Sequence, residues 1–269
     1  MKVLKNQLLN IFLVFIALLF LYPFIYMVLT SFTKTYSLGK LSINLSQMNL
    51  DNYVTIFKNY NFFTYFKNST VVVIIACFVN AIISVMAAYG FSKKKFPFRD
   101  IIFYIYIATM MMPGQVKLVP MFIIMKAFGL LDNNIGLAIP VINAFGVFLV
   151  KQFMDALPNE LLESAKMDGC SEWKVFTKIV VPLSKPVIIS LTIFTFITVW
   201  NDFTWPLIMT SDSNKYTLPL ALSTLQGNYV SNYGLVMAGA TLNFLPPFIF
   251  YIILRRQFVQ GITFTGSKE

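Results

Sequence analysis

Residues 163–182, ESAKMDGCSEWKVFTKIVVP, form a polar island in an apolar chain, with at least four hydrophobic runs before it and two after. A membrane-bound chain has reason to gather this much charge in one connection if that connection meets water and a soluble partner. Working outward, Pro158 suits the first turn of a helix, where a missing N–H costs nothing. Glu160 and Glu163 follow near the positive end of the helix dipole. Leu161, Leu162 and Ala165 form an apolar stripe. Gly169 supplies the left-handed residue that ends a helix. Ser171 caps a second helix, in which Trp173, Phe176, Ile179 and Val180 share a face, and Pro182 and Pro186 close it. The expectation is two short helices meeting at a glycine bend, with charge outward and apolar anchors inward.

The rest of the composition points to lipid as the main solvent. Of 269 residues, 57% are hydrophobic and 12% charged, about half the charge of a soluble domain at roughly 25%. The net charge of +10 does not indicate nucleic acid, because the basic residues sit between apolar runs as topology signals do. There is no His, which removes the commonest general base and metal ligand. Cys77 and Cys170 fall at different depths, so no disulfide is expected. No HExxH, CxxC or G-x-S-x-G occurs, and Gly39-Lys40 lacks the earlier glycine of a phosphate-binding loop. The chain is not expected to be an enzyme or to hydrolyse ATP alone, and no metal or cofactor is expected in it.

A helix needs about 20 apolar residues to cross the hydrocarbon core. Six runs qualify, giving an all-α integral membrane protein with about six transmembrane helices in one domain over 1–269: 8–29, 70–91, 101–125, 135–150, 187–209 and 234–254, with the polar loop at 154–186. The first is too long for a signal peptide and no small-residue cleavage site follows. With the N-terminus cytoplasmic, 14 of the 21 Lys and Arg fall inside, the short KKKFPFR loop (93–99) being the strongest signal. Both termini and the polar loop are then cytoplasmic. Pro23, Pro113-Gly114, Pro120, Pro140, Pro206 and Pro246-Pro247 lie in the runs. Each proline frees a backbone carbonyl, which is tolerated where neighbouring helices or a wet cavity satisfy it. No internal repeat is visible, which argues against a secondary transporter of inverted halves. In the connection from Ser37 to Lys67, Leu50-Asp51-Asn52-Tyr53 opens a short helix running to about Tyr60, with Tyr53 and Phe57 on one face.

The polar loop resembles the "EAA" loop of ATP-binding-cassette importer permeases: Glu-Ala-Ala, three residues, Gly, nine residues, Ile, one residue, Leu-Pro. Glu163, Ser164, Ala165, Gly169, Ile179, Val181 and Pro182 stand at those positions, with Ser164 for the first Ala and Val181 for Leu. The Leu50–Tyr53 segment, Asn68-Ser69, Pro113-Gly114-Gln115, the run Trp200–Pro206 and the stretch from Arg256 to Gly261 extend the likeness over nearly the whole chain, to the smaller of two unlike permeases in maltose-type carbohydrate importers. The tail, Phe264–Glu269, departs from the family's usual ending. The resemblance implies a type I importer permease fold in the bacterial inner membrane. It implies a role for Glu163, Ser164, Ala165, Asp168, Gly169, Ile179 and Pro182 in coupling to an ATPase. It implies a second homologous permease, a cytoplasmic ATPase dimer that holds ATP-Mg, and an extracytoplasmic solute-binding protein. The cargo implied is a sugar or oligosaccharide moved by alternating access, with glycerol phosphate or an oligomeric uronate as the rival cargo and an ion-coupled transporter as the rival class.

Two charges lie inside the predicted spans. Lys117 and Asp202 sit eight and seven residues from the outer ends of their runs, a depth of about 10–12 Å on straight helices. A charge there costs about 2.5–3.5 kcal/mol and normally faces a partner or water. They are expected at one level, paired or lining the substrate path together with Gln115, Asn201 and Trp200. Trp200, Asn201 and Trp205 offer a flat ring and amides suited to sugars, Trp205 fitting an interfacial belt better.

Overall fold

The computed structural model describes residues 2–35, 48–228 and 232–263. Gly39-Lys40, the first part of the Ser37–Lys67 connection and the tail 264–269 lie outside the described residues. The described chain is helical throughout and divides into two compact units, residues 1–63 with 220–246, and residues 64–219 with 247–269.

Among the described residues three helices are long and apolar enough to cross a membrane: α1 (Lys2–Ser31), α3 (Phe62–Lys93) and α14 (Tyr233–Thr263). A 30-residue helix such as α1 is about 45 Å long, more than the roughly 30 Å of hydrocarbon. Three bent pairs supply the remaining candidate spans.

In the first unit the end of α1 is capped by α2 (Asp51–Asn59). Asn52 is 2% exposed. Its Nδ2 donates to the carbonyls of Ser31 at 2.8 Å and Thr33 at 3.0 Å, groups that a helix end leaves unpaired. Tyr53 follows with a 2.6 Å bond to the Ser31 hydroxyl and a ring contact to Phe32. The face buried by α2 is Asn52 and Ile56, a turn apart; Tyr53 and Phe57 lie beside it. Gly234 touches the same place: a Cβ there would meet the Thr33 carbonyl oxygen at 1.9 Å.

In the second unit α3 packs with α7 (Ala144–Asp155) and α11 (Lys185–Trp200). Polar side chains join these apolar helices. Asn80 Nδ2 donates to Thr195 Oγ1 at 2.9 Å, and Ser84 Oγ donates to Asn80 Oδ1 at 3.1 Å. Small residues let membrane helices approach this closely; a Cβ on Gly146 would stand 2.5 Å from Ser84 Oγ. Asn68 ties the start of α3 to the carbonyls of Asn214 and Tyr216, and the Ser69 hydroxyl accepts from the Leu218 N–H at 2.7 Å. Cys77 and Cys170 are free thiols.

The third, fourth and fifth predicted spans are not straight. α4 (Arg99–Ala108), extended by a 3₁₀ turn to Met111, meets α5 (Gly114–Ala127) at 105°. Pro113 cannot continue the α4 ladder, and Met112 before it is extended. α6 (Asn134–Ala138), with a 3₁₀ turn to Val141, meets α7 at 48°, where Asn143 Oδ1 caps α7 by accepting from the Phe145 and Gly146 N–H groups. The third bent pair joins the helical stretch 172–183 to α11 at 70°; the predicted 187–209 run ends at Trp200, and three residues separate α11 from α12 (Thr204–Met209). The proline pair 246–247 lies within an unbroken α14.

A hinged polar loop and a polar cavity as candidate functional sites

The loop folds as two short helical pieces around Gly169. α8 (Glu160–Met167) stops at Asp168, and Gly169 takes φ 79°, the left-handed region a residue without Cβ enters freely. Gly169 N–H bonds to the Lys166 carbonyl and Cys170 N–H to that of Ala165, so the last carbonyls of α8 are satisfied through the bend. Ser171 then caps α9 (Glu172–Val175), its side chain accepting from Lys174 N–H at 3.4 Å. A π-helical turn, Phe176–Val180, leads into α10 (Val181–Leu183). There Val181 N–H reaches back five residues to Phe176, next to Pro182, which has no N–H to give. Such turns often mark functional places in helices.

The anchors differ in part from the predicted stripes. Leu162 and Ala165 are buried, but Leu161 is 45% exposed. Pro158 precedes the helix by two residues rather than sitting in its first turn. In the second piece Val175, Phe176 and Val180 are buried and Ile179 packs against them, whereas Trp173 is 65% exposed. Of the predicted face, Phe176, Ile179 and Val180 therefore stand as expected and Trp173 alone does not. The buried set joins Val85, Ala88 and Tyr89 of α3, Val150, Phe153 and Met154 of α7 and Val187 and Leu191 of α11 in one core cluster. The loop is thus seated directly on three helices of its own unit.

A polar clasp completes the seat. Glu172 Oε1 accepts from Lys166 Nζ at 2.6 Å, while Oε2 accepts from Lys94 Nζ and from the Tyr89 hydroxyl at 3.2 Å. The Lys166 and Lys94 bonds hold the Glu172 carboxyl down at about 2. Lys93 Nζ donates to the Leu157 carbonyl at 2.6 Å and to Asn159 Oδ1 at 3.0 Å. Glu172 was absent from the expected site; the signal was an acid directly after a capping Ser, in a chain whose nearest basic cluster is Lys93–Lys95.

Of the seven residues expected to act in coupling, Ala165 and Ile179 face inward and Glu163, Ser164, Asp168, Gly169 and Pro182 face outward. Ser164 Oγ is engaged with the Glu160 carbonyl at 2.8 Å. Met167 is 89% exposed. With Leu161 and Trp173 it gives this charged surface three uncovered apolar side chains.

A second site is a cavity of about 320 Å³ lined by Gln115, Lys117, Leu118, Met121, Asn143, Thr198, Asp202, Thr204 and Trp205, among others. Depth along a straight helix does not place Lys117 and Asp202, because both of their spans are interrupted. The 105° bend and the break after Trp200 nevertheless bring the two residues to one cavity. No ion pair joins them. Asp202 Oδ1 accepts from the Trp205 N–H at 3.3 Å at the start of α12. Trp205 is not an interfacial belt residue: it is 5% exposed and its Nε1 donates to the Gly136 carbonyl at 3.1 Å. Trp200 and Asn201 do not line this cavity. Trp200 is buried, parallel to Phe196 and edge-on to Phe66, and Asn201 Nδ2 turns back to the Ile197 carbonyl. Asn143 and Thr198, and Thr204 from the Trp200–Pro206 run, add polar lining that was not among the expected site residues.

Residues 80–264 match the family described as binding-protein-dependent transport system inner membrane component. The arabinooligosaccharides transport system permease protein of Bacillus subtilis (strain 168) is 32% identical over 266 residues, covering 97% of this chain and 95% of that protein. The sn-glycerol-3-phosphate transport system permease protein of Pectobacterium atrosepticum is 33% identical over 183 residues, covering 67% and 65%. Among solved structures, a bacterial ABC transporter involved in the import of the acidic polysaccharide alginate has a chain that superposes with TM-score 0.81 at 24% identity, covering 96% of each, a likeness of fold. With the family matched over more than half its length and a relative spanning nearly all of it, the chain belongs to the inner membrane components of binding-protein-dependent transport systems.

Proposed function

We propose that this chain is one transmembrane subunit of an ATP-driven importer that moves a sugar or oligosaccharide by alternating access, with the 160–183 loop as the seat of a cytoplasmic ATPase. One observation carries the reading. The loop is bolted to α3, α7 and α11 by a continuous apolar core, yet its outer face leaves Leu161, Met167 and Trp173 uncovered among charges. A solvated connection has no use for that combination; a lever that receives a push and passes it to spans requires it. The chain pairs with a second homologous permease, two copies of the ATPase bind ATP-Mg, and a solute-binding protein delivers cargo outside. Both termini share the cytoplasmic side with the loop. The sugar assignment rests on the relative that matches nearly the whole chain.

The test uses the complete transporter in cells and vesicles. Glu163→Lys reverses charge on the outer face only, and Gly169→Pro forbids φ 79°, since proline is fixed near −65°. Both are expected at normal membrane levels, with ATP hydrolysis no longer producing uptake of labelled oligosaccharide. Normal uptake in both variants refutes the coupling role.

An anionic cargo is a second reading with its own support: Lys117 faces the cavity without an ion-pair partner, and a glycerol phosphate permease is among the relatives. Competition of labelled maltodextrin uptake by glycerol phosphate separates the two. Membership in a binding-protein-dependent family leaves the ion-coupled reading with no observation of its own.

A further inference from the structure

The turn joining α3 to α4, residues 94–99, holds an exposed arrangement that the loop and the cavity do not use. It encloses an open depression of about 490 Å³ lined by Lys95, Phe96, Phe98, Arg99, Asp100 and Ile101. The turn joins the end of a long apolar helix to the start of another, and so lies at the membrane–water boundary. Its cations divide by role. Lys93 and Lys94 are committed to the loop. Lys95 is exposed and makes no hydrogen bond or ion pair. Arg99 uses Nε on Asp100 at 2.8 Å and Nη1 on the Lys94 carbonyl at 3.3 Å, leaving three of its five N–H donors.

Phe98 points the same way. It adopts φ 60° and is 72% exposed. A glycine holds a left-handed turn without steric cost, so neither the turn nor the core calls for a large ring at this position. Phe96 beside it is 40% exposed, resting on Phe91. Phe rings beside Lys and Arg are what segments seated at the headgroup–acyl boundary carry, and basic residues there attract anionic lipid.

We propose that this turn binds an anionic phospholipid of the phosphatidylglycerol type. Lys95 and the free Arg99 donors hold the phosphate, the Asp100 carboxylate accepts from the headgroup hydroxyls, and Phe96 and Phe98 enter the glycerol–acyl boundary. Asp100 sets the class: its negative charge disfavours a doubly charged phosphate and suits one negative charge with hydroxyl donors. The site is independent of which solute is carried.

The test is native mass spectrometry of the complete transporter exposed to an equimolar mixture of phosphatidylglycerol and phosphatidylcholine with identical chains. Retention of phosphatidylglycerol over phosphatidylcholine is expected, and Lys95→Gln is expected to lower it about 5-fold, the effect of one interfacial cation. Phe98→Gly suits the φ of 60° better than the native residue, so folding is not at risk, and it is expected to weaken retention of both lipids. Inorganic phosphate and glycerol phosphate are expected not to compete. Equal retention by Lys95→Gln and native protein overturns the proposal. Displacement by free phosphate overturns it in favour of a soluble anion. Loss of ATPase subunits from Lys95→Gln with lipid retention intact overturns it in favour of a protein contact.

Discussion

At the scale of single residues, the loop depends on two residues of opposite character. Glu172 binds by charge to Lys166 and Lys94, and its carboxyl sits at about 2 instead of the ordinary 4.5. The sign follows from that depression. The ionised clasp contributes its full stability above about 4.5 and loses it as the pH falls toward about 2. Glu172 is 54% exposed and its lysine partners 33% and 47%, so the clasp contributes as a surface pair does, about 0.2–1 kcal/mol. Glu172→Gln is therefore expected to leave global melting nearly unchanged at neutral pH. Local opening of residues 166–175 should rise several-fold by hydrogen exchange, and the acid sensitivity of that exchange should disappear; identical exchange in both proteins at pH 7 and below contradicts the clasp. Gly169 acts by shape alone. An Ala there must hold a left-handed φ at about 1–2 kcal/mol, and because a Cβ meets nothing within 4 Å, sterics with neighbours add nothing. Gly169→Ala should lower coupling partially and Gly169→Pro fully, a ranking that uptake per ATP hydrolysed measures.

At the scale of elements, hydropathy located the apolar runs because each is long and nearly free of charge, and turn chemistry located the hinge because Gly169 and Ser171 each have one strong conformational use. The bends were not legible in the same way. Composition is apolar on both sides of Met112, Ile142 and Trp200, so a window average passes over the break. Pro113 marked one place without giving 105°, and Pro246-Pro247, the heavier signal, falls inside a continuous helix. The cavity was half legible for this reason: Lys117 and Asp202 were conspicuous as charges in apolar runs, while Asn143 and Thr198 come into it only through the bends. Contacts between helices were invisible altogether. Gly146 is the clearest case. Its missing Cβ leaves room for Ser84 Oγ, which is engaged with Asn80, itself bonded to Thr195. Gly146→Val puts atoms into that contact, and overpacking of this kind costs about 1–3 kcal/mol. The expected result is a lower melting temperature of the purified protein in detergent, partly restored by Ser84→Ala, which vacates the Oγ; a Gly146→Val protein that melts like the native one removes this account of α3–α7 packing.

At the scale of the whole molecule, the question is where the work of transport comes from. The chain has no His, and the one Gly-Lys pair in its sequence lacks the glycine spacing that cradles a phosphate. A solute moved against its gradient needs an energy source, and on the proposed reading the loop is where one is taken in. Its apolar face reaches α3, α7 and α11; the start of α7 at Asn143 and the end of α11 at Thr198 border the polar cavity. On the proposed reading, a displacement at Gly169 is passed through this packing toward the cavity that Lys117 and Asp202 line, since packed interiors shift between discrete arrangements more readily than they deform. Two consequences separate this from a self-sufficient carrier. The chain alone in sealed vesicles should show no accumulation of oligosaccharide under a proton or sodium gradient, while the same vesicles with the second permease, the ATPase and the binding protein should accumulate it only when ATP is supplied. Lys117→Ala in that complete system should alter the ratio of glycerol phosphate to oligosaccharide uptake without altering ATP hydrolysis in the absence of cargo. Gradient-driven accumulation by the chain alone would place the energy source inside it and leave the hinged loop without a task.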